Sequence, residues 1–110
     1  MRQITEVIEV DHKKFMLTLD FDTLCEIEEQ SNISCLDIMT GMNMRRLSIV
    51  FHAMVIAKHD DLDRKATNRL VDAYGLNPTM LLVQKMFADY FQQGADESEQ
   101  DETVQEAAPA

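Results

Sequence analysis

Four side chains of ligand type, His59, Asp60, Asp61 and Asp63, lie almost side by side and form the densest such group in the chain. Carboxylates suit hard cations and imidazole suits transition metals, so the group is the first place to look for a metal. It lacks the alternating acids, the central glycine and the terminal glutamate of a calcium-binding loop. The simpler reading is a solvated start to a helix. His52 could serve as a general base only beside a nucleophile or carboxylate, and its sequence neighbours are apolar. It reads as a satisfied core or interface histidine. The adjacent acids Glu28 and Glu29, like Asp60 and Asp61, would point about 100° apart on a helix, which prevents shared acid and base work. Cys25 and Cys35 have neither redox-motif spacing nor enough partners for a zinc site, and read as reduced thiols behaving as small hydrophobes. Without a phosphate-binding glycine loop or a nucleophile elbow, no catalytic constellation can be assembled. The expectation is a protein that is not an enzyme and takes no cofactor or metal.

Charge and hydropathy narrow the partners. Ten Lys and Arg face 20 Asp and Glu in 110 residues, which disfavours nucleic acid as a partner. Six of the acids (Asp96, Glu97, Glu99, Asp101, Glu102 and Glu106) follow Gly94, leaving 14 acids against all ten bases before it. The sequence therefore divides into a mildly acidic domain, residues 1–93, and an acidic tail, residues 94–110, expected to be disordered. No apolar run is long enough for a membrane span or a signal peptide, so a cytoplasmic location is expected.

The elements that would carry any site follow from periodicity. Ile4 to Val10 and Phe15 to Leu19 alternate partially and flank the polar stretch Asp11-His12-Lys13-Lys14, which predicts a β-hairpin. Phe15, Leu17 and Leu19 share one face, and Met16 and Thr18 share the other. Asp20 and Asp22 offer caps for a helix with Phe21, Leu24, Cys25 and Glu28 at helical spacings, ending near Ser31-Asn32. Ser34 with Asp37 resembles an acidic capping box and predicts a short helix with Leu36 and Met39 inward, stopped by Gly41. Asn43 would cap a helix from Met44 to Lys58 in which Leu47, Val50, Phe51, Met54 and Val55 form one stripe. Ile49, Ala53 and Ile56 extend that stripe around the helix, so it should be central. Asp63 should cap a helix through Tyr74 that turns Ala66, Leu70 and Val71 inward and ends at Gly75. Asn77-Pro78 should open the last helix, from Thr79 to about Gln93. The fold class is thus α+β and mostly α, with an N-terminal β-hairpin packed on a small bundle of about four to five helices.

That last helix holds Met80, Val83, Phe87, Tyr90 and Phe91 on one stripe with Leu81, Leu82 and Met86 beside it, more apolar surface than one small core needs. Eight methionines add side chains that adapt to varied apolar partners. The expected partner surface comprises Met42, Met44, Leu82, Met86, Tyr90 and Phe91. Self-association into a homo-oligomer competes for the same side chains. A different class of function is an acidic DNA mimic that inhibits a host nucleic-acid-binding protein, although six of the acids lie in the tail rather than on the domain.

The segment Phe15-Met16-Leu17-Thr18-Leu19-Asp20-Phe21-Asp22-Thr23-Leu24-Cys25-Glu26-Ile27-Glu28-Glu29 resembles the phage tail assembly chaperone family, which includes relatives in gene transfer agents. That family has an apolar strand, then Phe-Asn-Ala-Leu-Cys-Glu-Leu-Glu-Glu, a short helix, and an Arg-containing apolar helix ending in His-x-Asp-Leu. Met44-Arg45-Arg46-Leu47 through His59-Asp60-Asp61-Leu62 is similar to the last part, and the likeness spans about residues 12 to 92. Asp22-Thr23 stands where Asn-Ala is common, and Ile49-Val50-Phe51-His52 stands where small or aromatic residues are common. The resemblance implies a stoichiometric binder of the tape measure protein that keeps its hydrophobic helices soluble and helps recruit tail tube protein. It also implies action in the host cytoplasm without retention in the virion.

Overall fold

A computed structural model of the chain describes residues 3–97, with side-chain surroundings through Gln92. Strands β1 (Ile4–Val10) and β2 (Lys13–Leu19) pair antiparallel with Ile4 opposite Leu19 and Val10 opposite Lys13. The connector is shorter than the polar stretch suggested. Only Asp11 and His12 lie between the strands, both at positive φ (53° and 67°), the backbone of a type I′ turn. Ile4, Ile8, Leu17 and Leu19 are buried on the inward face, while Val7 and Met16 form an exposed pair on the outward one. Thr18 departs from the expected alternation, because it is buried although its face is the outward one.

Helix α1 (Phe21–Ser31) starts where Asp20 accepts from the Thr23 N–H at 2.9 Å. It ends as expected, with Asn32 in the left-handed region donating its N–H to the Glu28 carbonyl. Leu24 and Ile27 turn inward, whereas Phe21 and Cys25 are exposed. Asn43 caps α2 (Met44–Ile56) through the Arg46 N–H, and Asp63 caps α3 (Arg64–Tyr74) through the Ala66 N–H. α2 packs against β2, α1, α3 and α4, so it is the central helix that its all-round apolar pattern requires. In α3, Leu70 is buried and Ala66 and Val71 are partly buried; Thr67, buried completely, adds to that face.

Three expected helix boundaries move: α2 ends at Ile56 rather than Lys58, and both ends of α4 shift. α4 (Leu76–Glu97) begins three residues before Thr79, with the Thr79 N–H and hydroxyl both donating to the Gly75 carbonyl at 3.0 and 2.7 Å. Pro78 thus lies inside the first turn, where its missing N–H costs no helical bond. At its other end α4 runs through Gly94 to Glu97 rather than stopping near Gln93. Residues 98–110, the remainder of the expected acidic tail, lie outside the described residues.

The expected helix after Ser34 does not form. Residues 35–41 make successive turns, with the Asp37 N–H on the Ser34 carbonyl and the Thr40 N–H on the Asp37 carbonyl. Side chains satisfy backbone groups that these turns leave unpaired. Ser34 Oγ accepts from the Leu36 N–H at 3.2 Å, Glu28 accepts from the Cys35 N–H at 2.8 Å, and Arg46 donates to the carbonyls of Ile38 and Thr40. Ile38 takes the buried position, and Leu36, expected inward, is 79% exposed. The described fold is therefore a hairpin on four helices, mostly α.

Candidate functional site

An apolar opening lies between this turn segment and α4. Cys35, Leu36 and Met39 form one wall, Phe87, Ala88 and Phe91 form the other, and Gln84 and Gln92 stand at the α4 edge. The groove encloses about 680 Å³. Phe87 is its buried floor, whereas Phe91 on the rim is 41% exposed. Tyr90 and Phe91 meet edge-on at 5.3 Å, which orients the Phe91 ring beside the groove. Leu81, 65% exposed, precedes Gln84, Ala88 and Phe91 at intervals of three or four residues. Those intervals place the four on one helical stripe about 15 Å long.

The turn wall is fixed rather than loose. Cys35 Sγ donates to the Leu24 carbonyl at 3.3 Å, and its N–H is held by Glu28. Burial, with the nearby Glu28 charge and Cys25, pushes the Cys35 thiol up to about 11. It therefore stays protonated at neutral pH and contributes to the groove as an apolar surface, not as a nucleophile.

The six expected contact residues divide among different surroundings. Phe91 lies on the groove. Tyr90 and Leu82 are half-buried against the core, as is Met42 at the end of the turn segment. Met86 is fully buried and so cannot be part of a free surface, because its side of α4 faces the core together with Val83. Met44 is exposed but lines a separate, smaller depression with Leu47, Val71 and Leu76, about 290 Å³ in volume. The expected single surface is thus not continuous. Leu36, Met39 and Ala88 were absent from it, and the exposed Leu36 emerges only because its segment is not a helix.

Two of the four ligand-type residues have structural roles. Asp63 caps α3, and His59 Nε2 accepts the Met16 N–H at 3.0 Å while its ring lies 5.5 Å from Phe15. Opposite Val7, Met16 occupies a pair whose N–H points away from the sister strand, so His59 satisfies the outer edge of β2. His52 is buried, but its Nδ1 has no hydrogen-bond partner among the described residues, unlike the satisfied core histidine expected. Among the described residues, no group of three His, Cys, Asp or Glu could hold a metal. No helix among them is long and apolar enough to cross a membrane.

The arrangement defines a small hairpin-and-helix unit with an open apolar groove among the described residues. Compared with models of known protein families, with curated proteins and with solved structures, the chain matches none.

Proposed function

We propose that this chain is a non-enzymatic phage tail assembly chaperone that receives an apolar helix of the tape measure protein in the groove between α4 and residues 35–41. The observation that carries the reading is the pairing of Leu36 and Phe91 as exposed apolar rims over a buried Phe87 floor. A groove of this kind excludes water from a helix laid along it, and the exposed Leu81 prolongs the same stripe. Half-buried Met39, an adaptable thioether, suits clients whose apolar residues vary. The family resemblance from Phe15 to Glu29 supplies the client and the setting: binding in the host cytoplasm, recruitment of tail tube protein, and release before the virion is complete.

The test is co-expression with the tape measure protein from the same tail gene cluster. The native chain should hold that protein in the soluble fraction and copurify with it. A Leu36→Ser, Phe91→Ser double variant, shown by circular dichroism to keep its helices, should lose both. Full copurification by the folded double variant overturns the groove assignment. Failure of the native chain to bind overturns the chaperone reading.

A further inference from the structure

We infer that the groove selects an amphipathic helix whose apolar stripe is flanked, on the side facing the 35–41 segment, by lysine or arginine. This rests on the proposed reading of the groove as a client site and adds the charge pattern of the client. The two sides of the groove differ electrically. On the α4 side the polar groups are the neutral amides of Gln84 and Gln92. On the other side stand two acids. Glu28 is exposed and held against the groove wall by its 2.8 Å bond from the Cys35 N–H, with a second carboxylate oxygen to offer. Asp37 is exposed within the same turn as Leu36 and Met39.

Two cations are held by bonds within the chain. Arg46 donates to the Ile38 and Thr40 carbonyls, and Lys85 bonds Glu6 at 2.9 Å and Asp89 at 3.1 Å. Arg46 keeps its charge on the 35–41 side, but Glu28 and Asp37 outnumber it, so that side favours cations over anions from a partner. A helix places residues beside its apolar stripe one position on, so a basic residue every three or four positions would run along Glu28 and Asp37 while its apolar neighbours fill the groove. A glutamate in those positions would face like charge, which provides discrimination as well as attraction.

Two synthetic helical peptides with one shared apolar stripe, flanked by lysine in one and glutamate in the other, test this against the full chain by fluorescence anisotropy. The lysine peptide should bind about 10-fold more tightly at low salt, and the ratio should shrink as salt rises. Asp37→Lys and Glu28→Gln should each reduce the ratio, the second without loss of the Cys35 contact because Gln keeps an acceptor oxygen. Phe91→Ser should weaken both peptides together. Equal binding of the two peptides overturns the inference. So does a preference unchanged in the Asp37 and Glu28 variants, or lysine-peptide binding unaffected by Phe91→Ser, which would place the attraction on other acids of the chain. If the tape measure protein binds through Leu36 and Phe91 while the peptides are not distinguished, the charge rule fails and the groove assignment survives. Binding of neither peptide and no capture of the tape measure protein overturns both. A second copy occupying the groove would appear as a doubled mass lost in Phe91→Ser, and that outcome also overturns the inference.

Discussion

Helices α2 and α4 are both written in long apolar runs, yet α2 buries its apolar side chains from Leu47 to Val55 and α4 leaves several of its own exposed. In α2, Leu47, Ile49, Val50, Phe51, Ala53, Met54 and Val55 are all at most 3% exposed. In α4, Val83, Met86 and Phe87 are buried to the same degree, while Leu81 and Phe91 stand in the open at 65% and 41%. Composition does not separate the two cases, but the neighbours do. The hairpin and three helices pack on α2, whereas the 35–41 segment stops short of covering α4 and leaves a groove. An apolar helix becomes a candidate docking surface when the chain provides too little to cover it.

The largest effect should come from emptying the covered helix. Phe51→Ala is expected to lower stability by about 3–5 kcal/mol, because the side chain has no solvent contact and its removal leaves a cavity. Met86→Ala, on the inward side of α4, should cost about 2–5 kcal/mol for the same reason. Urea denaturation measures both. A loss below about 1 kcal/mol at either site would mean that its packing is not as tight as its burial implies.

An intermediate effect belongs to the helix start that helps hold the turn wall. Burial raises Asp20, but the Thr23 N–H and hydroxyl and the Gln3 amide outweigh it, so the carboxyl lies below its ordinary value of 3.8. A lowered folded-state value stabilises the fold above the unfolded value, and that stability is lost as pH falls through the folded-state one. Asp20→Ala should therefore cost about 1 kcal/mol near neutrality, and less as acid titrates the native carboxylate. A difference between native and variant that persists unchanged down to pH ~2 would remove the charge from the explanation.

The smallest effect on stability should come from the open side of α4. Phe91→Ser is expected to change stability by less than about 1 kcal/mol, since much of the ring already meets water, while abolishing capture of the tape measure protein. The contrast with Met86→Ala, one helical turn and a little more away, is the sharpest form of the comparison. If Phe91→Ser destabilises as much as Met86→Ala, the two sides of α4 are not distinct and the groove is part of the core.

How much was legible in the sequence varies by element. The hairpin, α1 with its end at Asn32, and the caps at Asn43 and Asp63 could be read directly, because each depends on residues within a few positions of one another. The central place of α2 could also be read, since a helix apolar all round has no side to give to water. At 34–41 the local signal, Ser34 with Asp37, yields only turns, and partners distant in sequence, Glu28 and Arg46, hold the segment through the Cys35 N–H and two carbonyls. The surplus of apolar surface on the last helix was likewise visible in the sequence, but not which residues would form it. Met86 and Phe91 are five positions apart with similar hydrophobic character, and only the packing of neighbouring elements decides which of them meets water.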